Sequence, residues 1–264
     1  MRKTISSVNN QLIKETCELK LKKYRNAAEA FIIEGARSTE EVLNSGWDIV
    51  HAFVDVSADS GRVRTISDKL EAIGMTIFEV TPEVMQRLSD TDTPQGILLV
   101  VRKKTCELND FNQKHEGLLL VLDEVRDPGN LGTMIRTADA AGIDGIILLD
   151  GCTDVFAPKA VRSAMGSLFH LPIRNEQNKN EFISWCRENN WSLWSSSLEG
   201  GKSIYGEELA DRTAIVIGNE AEGVSSELLS ASEKRVYIPM PGKAESLNAA
   251  IAAFKDSALP GIGI

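Results

Sequence analysis

The sequence lacks the two glycine-rich motifs by which the commonest nucleotide-binding α/β enzymes are identified. Neither G-x-G-x-x-G nor G-x-x-x-x-G-K-[ST] occurs in the 264 residues. In those enzymes the glycines let the backbone approach the phosphates of a nucleotide. Rossmann-type dinucleotide binding and P-loop phosphoryl transfer therefore have no motif to support them in this chain.

Long hydrophobic runs and paired cysteines are also missing. No apolar run reaches about 18 residues, so we expect no membrane span. The basic start at residues 1–7 has no hydrophobic stretch behind it, so we expect no secretory signal. The four cysteines form no C-x-x-C pair, which argues against a zinc site or a disulfide framework. These features favour a reduced, cytoplasmic protein without a bound metal.

The net charge of −9 is unevenly distributed along the chain. Residues 1–104 hold 15 basic and 15 acidic side chains, whereas residues 105–264 hold 14 and 23. Attraction for phosphate is therefore predicted at the N-terminus, where seven basic residues lie within the first 25 residues. A solvated basic helix face is the alternative. The seven are Arg2, Lys3, Lys14, Lys20, Lys22, Lys23 and Arg25.

Alternating helix and strand patterns divide the chain into two α/β halves. In the first half, strands are predicted at 31–34, 49–55, 76–80 and 96–101. Helices are predicted at 8–23, 38–43, 63–73 and from Pro82, with Thr81 as its N-cap. Such alternation predicts a mostly parallel sheet covered on both faces. The polar stretch 102–116 is predicted to be a linker.

The second half repeats the alternation without a detectable internal repeat. Strands are predicted at 118–122, 145–149, 193–197, 214–217 and 235–238. Helices are predicted near 131–141, 157–168, 178–190 and 225–232, with a last one from Ser246. We therefore predict two domains, 1–104 and 117–264, joined by a linker at 105–116.

The segment Asp127–Arg136 (Asp-Pro-Gly-Asn-Leu-Gly-Thr-Met-Ile-Arg) is predicted to turn the chain and start a helix, with Asn130 as N-cap. Arg136 lies on the polar face of this helix and can reach back over its N-terminus. A guanidinium beside free backbone amides is a phosphate-binding arrangement. The alternative is a surface arginine paired with Asp127 or Asp139.

A second turn, Ile217–Gly223 (Ile-Gly-Asn-Glu-Ala-Glu-Gly), follows a predicted strand. Gly218 and Gly223 allow positive φ and close approach of the backbone to a ligand. Glu220 is expected at the carboxyl edge of the sheet. A valine at position 218 is expected to impair ligand binding far more than folding. A plain turn with solvated carboxylates is the alternative.

A third segment, Ile238–Asn248 (Ile-Pro-Met-Pro-Gly-Lys-Ala-Glu-Ser-Leu-Asn), begins with an irregular proline-rich loop. Ser246 can cap the helix that follows, and its hydroxyl and the Asn248 amide are then available to a substrate. Leu247 would bring backbone and apolar surface to an adenine. A capped helix start without a ligand is the alternative.

In this order and on these elements, the three segments resemble the signature motifs of the SpoU/TrmH family of RNA ribose 2′-O-methyltransferases, in the SPOUT superfamily. Phe31–Arg37 and Thr93–Gly96 resemble segments of that family's N-terminal substrate-binding domain, which is similar to small ribosomal RNA-binding proteins. The resemblance implies a two-domain α/β protein whose C-terminal domain contains a deep trefoil knot. True knots are very rare, so periodicity could not have predicted one.

The resemblance also implies transfer of a methyl group from S-adenosylmethionine to a ribose 2′-hydroxyl of RNA, ribosomal RNA in preference to tRNA, by a homodimer. By match to the motifs, the cofactor is held by Gly218, Gly223, Ile238, Met240 and Leu247. The reacting end comprises Asn130, Arg136, Glu220, Ser246 and Asn248. A guanidinium with a pKa above about 12 is a poor base, so we expect Arg136 to stabilise the developing alkoxide.

The C-terminal segment departs from the family pattern. After Ser246–Ala253, members of the family usually continue a long apolar helix, but here Pro260-Gly261 ends any helix early. In the family that helix covers the cofactor pocket and contributes to the dimer. A non-catalytic RNA-binding protein on the same scaffold is therefore the alternative function.

Overall fold

The computed structural model describes residues 1–58 and 60–239 of the chain. The chain forms two compact units. The first comprises residues 1–104 and 154–169, and the second comprises residues 105–153 and, of the described chain, residues 170–239. Residues 154–169 thus belong to the N-terminal unit although the sequence pattern places them in the second half.

The elements of residues 1–104 alternate as the sequence predicts, with one additional strand at the start. They are β1 (Arg2–Ile5), α1 (Gln11–Glu18), α2 (Lys22–Ala28), β2 (Ala30–Glu34), α3 (Ala36–Ser45), β3 (Ile49–Asp55), α4 (Gly61–Ala72), β4 (Ile77–Val80), α5 (Pro82–Leu88) and β5 (Ile97–Arg102). Thr81 caps α5 as expected, since its hydroxyl accepts a hydrogen bond from the Val84 amide.

The sheet of the first unit is mixed, not mostly parallel as expected. Among the described residues its strand order is β1-β4-β3-β5-β2. β4 runs parallel to β1 and β3, but β5 runs antiparallel to both of its neighbours. The chain turns back through residues 89–96 after α5, and β5 enters between β3 and β2 in the opposite direction. Periodicity does not reveal strand direction, so the sequence could not show this reversal.

The single helix expected at 8–23 is two helices, because a buried arginine binds the carbonyl groups between them. Arg25 is 3% exposed, and its Nη1 donates to the carbonyl oxygens of Leu19 and Lys20 at 2.9 and 2.7 Å. Its Nε and Nη2 donate to Asp154 Oδ2 at 2.9 and 2.6 Å. This ion pair fixes the segment 154–169 within the first unit.

Aromatic contacts hold the same segment. The Phe156 ring lies 4.6 Å from the Phe31 ring, and the Phe169 ring lies edge-on to Trp47 at 5.2 Å, centroid to centroid. Such pairs contribute about 0.5–1.5 kcal/mol beyond the burial of their area. The fold of the first unit therefore depends on a segment that lies far beyond residues 1–104 in the chain.

The second unit is built on a parallel sheet. Its elements are β6 (Gly117–Leu122), α6 (Pro128–Ala140), β7 (Gly145–Leu149), β8 (Ile173–Glu176), α8 (Lys179–Glu188), β9 (Ser192–Ser196), β10 (Lys202–Ser203), β11 (Arg212–Ile217), α9 (Ser226–Ala231) and β12 (Lys234–Tyr237), while α7 (Pro158–Ala164) lies in the first unit. Within the described ranges the order is β10-β12-β9-β11-β6-β7-β8, and every pairing is parallel. The near-continuous apolar runs of β6 and β7 are typical of such buried strands.

The segment expected to be a polar linker packs on this second unit. It contains a 3₁₀ helix, Leu108–Gln113, capped by Glu107 and Asp110. Phe111 in this helix is 8% exposed and lies over Gly145, where an added Cβ would stand 2.2 Å from the ring. In the part of the chain that the structure describes, no helix has the length and apolar character needed to cross a membrane.

We predict that breaking the Arg25–Asp154 pair destabilises the first unit. Asp154→Ala leaves a buried guanidinium without its carboxylate, which typically costs about 3–5 kcal/mol. Hydrogen exchange of the β2 and α2 amides should therefore accelerate strongly. The control is Arg62→Met, which removes the exposed pair with Glu40 in the same unit and should change little. Equal exchange rates in the two variants would contradict the structural role given to residues 154–169.

Candidate active site

Two of the three predicted motifs lie side by side at one edge of the parallel sheet. β6 and β11 are neighbouring parallel strands, with Leu122 opposite Ile217 at their ends. The carboxyl ends of parallel strands meet at one edge, and α/β proteins bind ligands there. We call residues 123–127 the β6 turn and residues 218–224 the β11 turn.

The β6 turn starts helix α6 with a different cap from the one expected. Pro128 takes the first helical position, which favours it, so Asp127 becomes the N-cap and its Oδ1 accepts from the Asn130 amide at 2.8 Å. The prediction that Asn130 is the N-cap is wrong. The Asn130 side chain instead reaches the β11 turn, where its Nδ2 donates to Glu220 Oε1 at 2.6 Å.

The β11 turn is closed by Asn219, a residue that the sequence did not single out. Asn219 and Gly223 exchange two backbone hydrogen bonds at 3.0 and 2.9 Å. The Asn219 side chain fills the turn, since its Oδ1 accepts from the amides of Ala221 and Glu222. Its Nδ2 donates to the Glu124 carbonyl at 3.0 Å and so joins the two turns. The tendency of asparagine to bond the backbone two residues on was the available signal.

The two glycines of the β11 turn have different roles. Gly223 has a φ of +73°, and an added Cβ there would meet no heavy atom within 4 Å. Gly218 is not among the glycines with positive φ, but a Cβ there would stand 2.1 Å from the Gly223 carbonyl carbon. The expectation that a valine at 218 would spare the fold is therefore wrong, because the turn's own backbone occupies that space.

Charged side chains surround the two turns. Lys179 Nζ lies 2.7 Å from Asp123 Oδ1 and 3.4 Å from Glu124 Oε1. Burial by itself would lower the pKa of Lys179, but the bonds with Asp123 and Glu124 outweigh it and the pKa is raised. Arg126 Nη2 lies 2.7 Å from Glu124 Oε2 and 3.8 Å from Glu222. Asp123 and Lys179, like Asn219, were not predicted as site residues.

The remaining predicted residues are only partly described. Arg136 is exposed on α6, about 9 Å along the helix axis from Asn130 at 1.5 Å per residue. Asp139 Oδ2, one alternative partner for it, lies 2.8 Å from His170 Nδ1. Ile238 is buried directly after β12. Met240, Ser246, Leu247 and Asn248 lie outside the described residues.

The edge of the sheet holds a thiol but no described metal cluster. Burial raises the pKa of Cys152 to about 11, and its Sγ donates to the Leu122 carbonyl at 3.2 Å. This cysteine is therefore a neutral thiol at neutral pH and a poor nucleophile. Within residues 1–58 and 60–239, no three His, Cys, Asp or Glu side chains are grouped as metal ligands.

Known proteins match this chain over both of its halves. The sequence profile of the SpoU rRNA Methylase family matches residues 117–254, and that of the MRM3-like substrate binding domain matches residues 10–99. The chain is 35% identical to the 23S rRNA (guanosine(2553)-2′-O)-methyltransferase RlmP of Bacillus subtilis, over 95% of this chain and 96% of that protein.

Solved structures match equally well. The crystal structure of an AdoMet-bound rRNA methyltransferase from Sinorhizobium meliloti superimposes with a TM-score of 0.87 at 33% identity, covering 97% of this chain and 96% of that one. The SpoU methyltransferase AviRb from Streptomyces viridochromogenes, in complex with AdoMet, gives a TM-score of 0.86 at 28% identity, covering 94% and 96%.

The fold is thus that of the SPOUT methyltransferases, as the motifs predicted. The chain belongs to the SpoU rRNA methylase family. The implied knot concerns the C-terminal chain, which from residue 240 onward lies outside the described residues.

We predict that the two glycines respond differently to alanine. Gly218→Ala forces the Cβ into the backbone of Gly223 and Val224, so the turn should open and hydrogen exchange at 218–225 should accelerate. Gly223→Ala meets no atom and adds only the strain of a left-handed residue, about 1–2 kcal/mol. Equal protection of residues 218–225 in the Gly218→Ala variant and the unmodified protein would show that the close approach is not required.

Proposed function

We propose that this chain transfers a methyl group from S-adenosylmethionine to a ribose 2′-hydroxyl of ribosomal RNA, with tRNA as the second candidate substrate. The observation that carries the proposal is the Asn130–Glu220 bond, which joins the β6 and β11 turns at one sheet edge. The relatives of this chain from B. subtilis and S. viridochromogenes are named 23S rRNA 2′-O-methyltransferases. The name of the first specifies a guanosine and the name of the second a uridine. The target nucleotide therefore differs among relatives.

The described residues fit S-adenosylmethionine. The adenine of the cofactor needs backbone hydrogen-bond donors and apolar side chains around it. The cofactor can come close to the backbone only where no side chain intervenes. Gly223 offers open space at a positive φ, the adjacent Val224 is buried and apolar, and Ile238 is buried at the end of β12. Gly218 acts indirectly, by letting the turn fold tightly on itself. Met240 and Leu247 are also proposed to contact the cofactor, and both lie outside the described residues.

The cofactor would supply a methyl group already activated by the adjacent sulfonium, so the protein must position the hydroxyl and assist loss of its proton. Glu220 fixes the orientation of the Asn130 amide. Arg136 binds a backbone phosphate of the RNA and stabilises the developing alkoxide, and the proton leaves toward that phosphate or water. Ser246 and Asn248 are proposed to line the same reacting end.

We further propose that the protein acts as a cytoplasmic homodimer. The exposed position of Arg136 on α6 supports this, because a side chain on the surface can extend into the active site of a partner subunit. The four cysteines are free thiols, which is consistent with a reducing compartment. Sedimentation analysis with and without cofactor would test the oligomeric state.

Arg136→Ala should lower kcat for methyl transfer by about 10²–10³-fold or more, because a donor to the developing alkoxide is removed. The affinity for S-adenosylmethionine, measured by calorimetric titration, should stay nearly unchanged. Loss of both together would mean that Arg136 has a structural role. Failure of the unmodified protein to bind the cofactor would instead favour the non-catalytic RNA-binding alternative.

The N-terminal unit is proposed to bind the RNA, but through fewer basic side chains than the sequence indicated. Arg25 is buried against Asp154. Lys20 Nζ donates to the carbonyl oxygens of Arg87 and Ser89 at 3.1 and 2.5 Å. Both therefore serve the fold. Lys3, Lys14, Lys22 and Lys23 remain exposed, and of these Lys22 and Lys23 lie together on α2.

Replacing Lys22 and Lys23 with Gln should weaken RNA binding and reduce the salt slope by about one unit for each phosphate that the variant no longer neutralises. Replacing Lys69 and Lys104, two exposed lysines of the same unit that lie outside the N-terminal cluster, makes the same change in net charge and serves as the matched control. Equal effects of the two pairs would place the RNA elsewhere. The cavity of about 170 Å³ lined by Arg37, Gln95 and Arg162 would then be the next site to test.

A further inference from the structure

We propose that Asp123, held in place by Lys179, is the positioning residue for the β11 turn and thereby for cofactor binding. The inference rests on the proposed function, because it assigns a role in holding S-adenosylmethionine. It concerns a carboxylate that follows β6 directly and is 1% exposed. A group so deeply buried does not touch the substrate.

Asp123 binds both ends of the β11 turn. Its backbone N–H donates to the carbonyl oxygen of Ile217, the last residue of β11, at 2.9 Å. Its Oδ2 accepts from the Ser225 amide at 2.8 Å, just before α9 begins. The residues between these two anchors, 218–224, are the turn itself. One residue thus fixes both the entry to the turn and the exit from it.

The neighbouring residue strengthens this attachment. Glu124 has a φ of 57°, in the left-handed region that non-glycine residues rarely adopt. Its carbonyl oxygen in this conformation accepts from Asn219 Nδ2, inside the β11 turn. Such strain persists only where the surroundings hold it, and it is common at ligand sites.

Lys179 makes the burial of Asp123 tolerable. A buried carboxylate without a cation is strongly destabilising, and Lys179 Nζ lies 2.7 Å from Asp123 Oδ1. Lys179 is the first residue of α8, so the pair also ties that helix to the sheet edge. Its side chain is 18% exposed, which raises a second possibility: that Lys179 binds the cofactor directly.

A more exposed lysine–carboxylate pair with the same hydrogen-bond pattern lies at the opposite edge of the sheet and provides a control. Asp144 precedes β7, its Oδ1 lies 2.5 Å from Lys114 Nζ, and its Oδ2 accepts from the Leu118 amide. Each pair thus consists of a lysine, a carboxylate and one backbone N–H. Only the Asp123 pair holds a turn of the proposed active site.

The test measures S-adenosylmethionine affinity and steady-state kinetics in Lys179→Met, Lys179→Arg and Lys114→Met. We expect Lys179→Met to raise the Kd and the KM for the cofactor at least about tenfold while kcat falls less than about threefold, because Asp123 does not touch the reacting atoms. Hydrogen exchange at residues 218–225 should accelerate in parallel. Lys179→Arg should recover most of the affinity, and Lys114→Met should bind like the unmodified protein.

A double variant, Asp123→Asn with Lys179→Met, separates positioning from direct binding. It removes both charges of the pair, so it should fold even if Lys179→Met does not, and the introduced amide oxygen can still accept from the Ser225 N–H. Recovery of at least half of the affinity that Lys179→Met loses supports the proposal. No recovery, or unchanged affinity in Lys179→Met, overturns it. If the unmodified protein does not bind the cofactor, the proposed function fails before this inference is reached.

Discussion

The common direction of the strands in the second unit determines where its chemistry can occur. Every described pairing in that sheet is parallel, so the turns that leave β6 and β11 meet at one edge. The Asn130–Glu220 and Asn219–Glu124 bonds then become possible between segments 90 or more residues apart in the chain. An antiparallel neighbour would have placed one of these turns at the far edge, and no shared site could form.

Among the described residues, the interior strands of both sheets and the edge strand β2 could be predicted from the sequence, but the other edge strands could not. Strands β3 and β7 have the predicted bounds because their apolar runs end sharply. Within residues 1–58 and 60–239, the three strands that were missed, β1, β8 and β10, each lie at a sheet edge. An edge strand has a neighbour on one side only, so it needs no long apolar run and leaves no clear periodic signal. The antiparallel direction of β5 was hidden for a different reason, because periodicity carries no information about direction.

The sequence indicated the two turns of the candidate site, where local chemistry suffices, but not the contacts that distant residues make with them. The β6 and β11 turns were found from glycine, proline and carboxylate spacing, whereas the Asp123–Lys179 pair joins two distant segments and follows no motif.

In the basic N-terminal cluster, the sequence assigned too many residues to phosphate binding. Charge counting treats Arg25 like Lys22, but a residue 129 positions away turns Arg25 into a buried structural group. A charged residue can be assigned to RNA binding only once the burial of its side chain is known.

We propose that the joined turns form the active site of a ribosomal RNA ribose methyltransferase. The most direct measurement maps 2′-O-methyl groups across all ribosomal and transfer RNAs, in cells with the gene and in cells from which it is deleted. Deletion should remove the 2′-O-methyl group from a ribosomal RNA nucleotide, and a plasmid copy of the gene should restore it. An unchanged ribosomal RNA methylation map, or a loss confined to tRNA or to base methylation, would contradict the account.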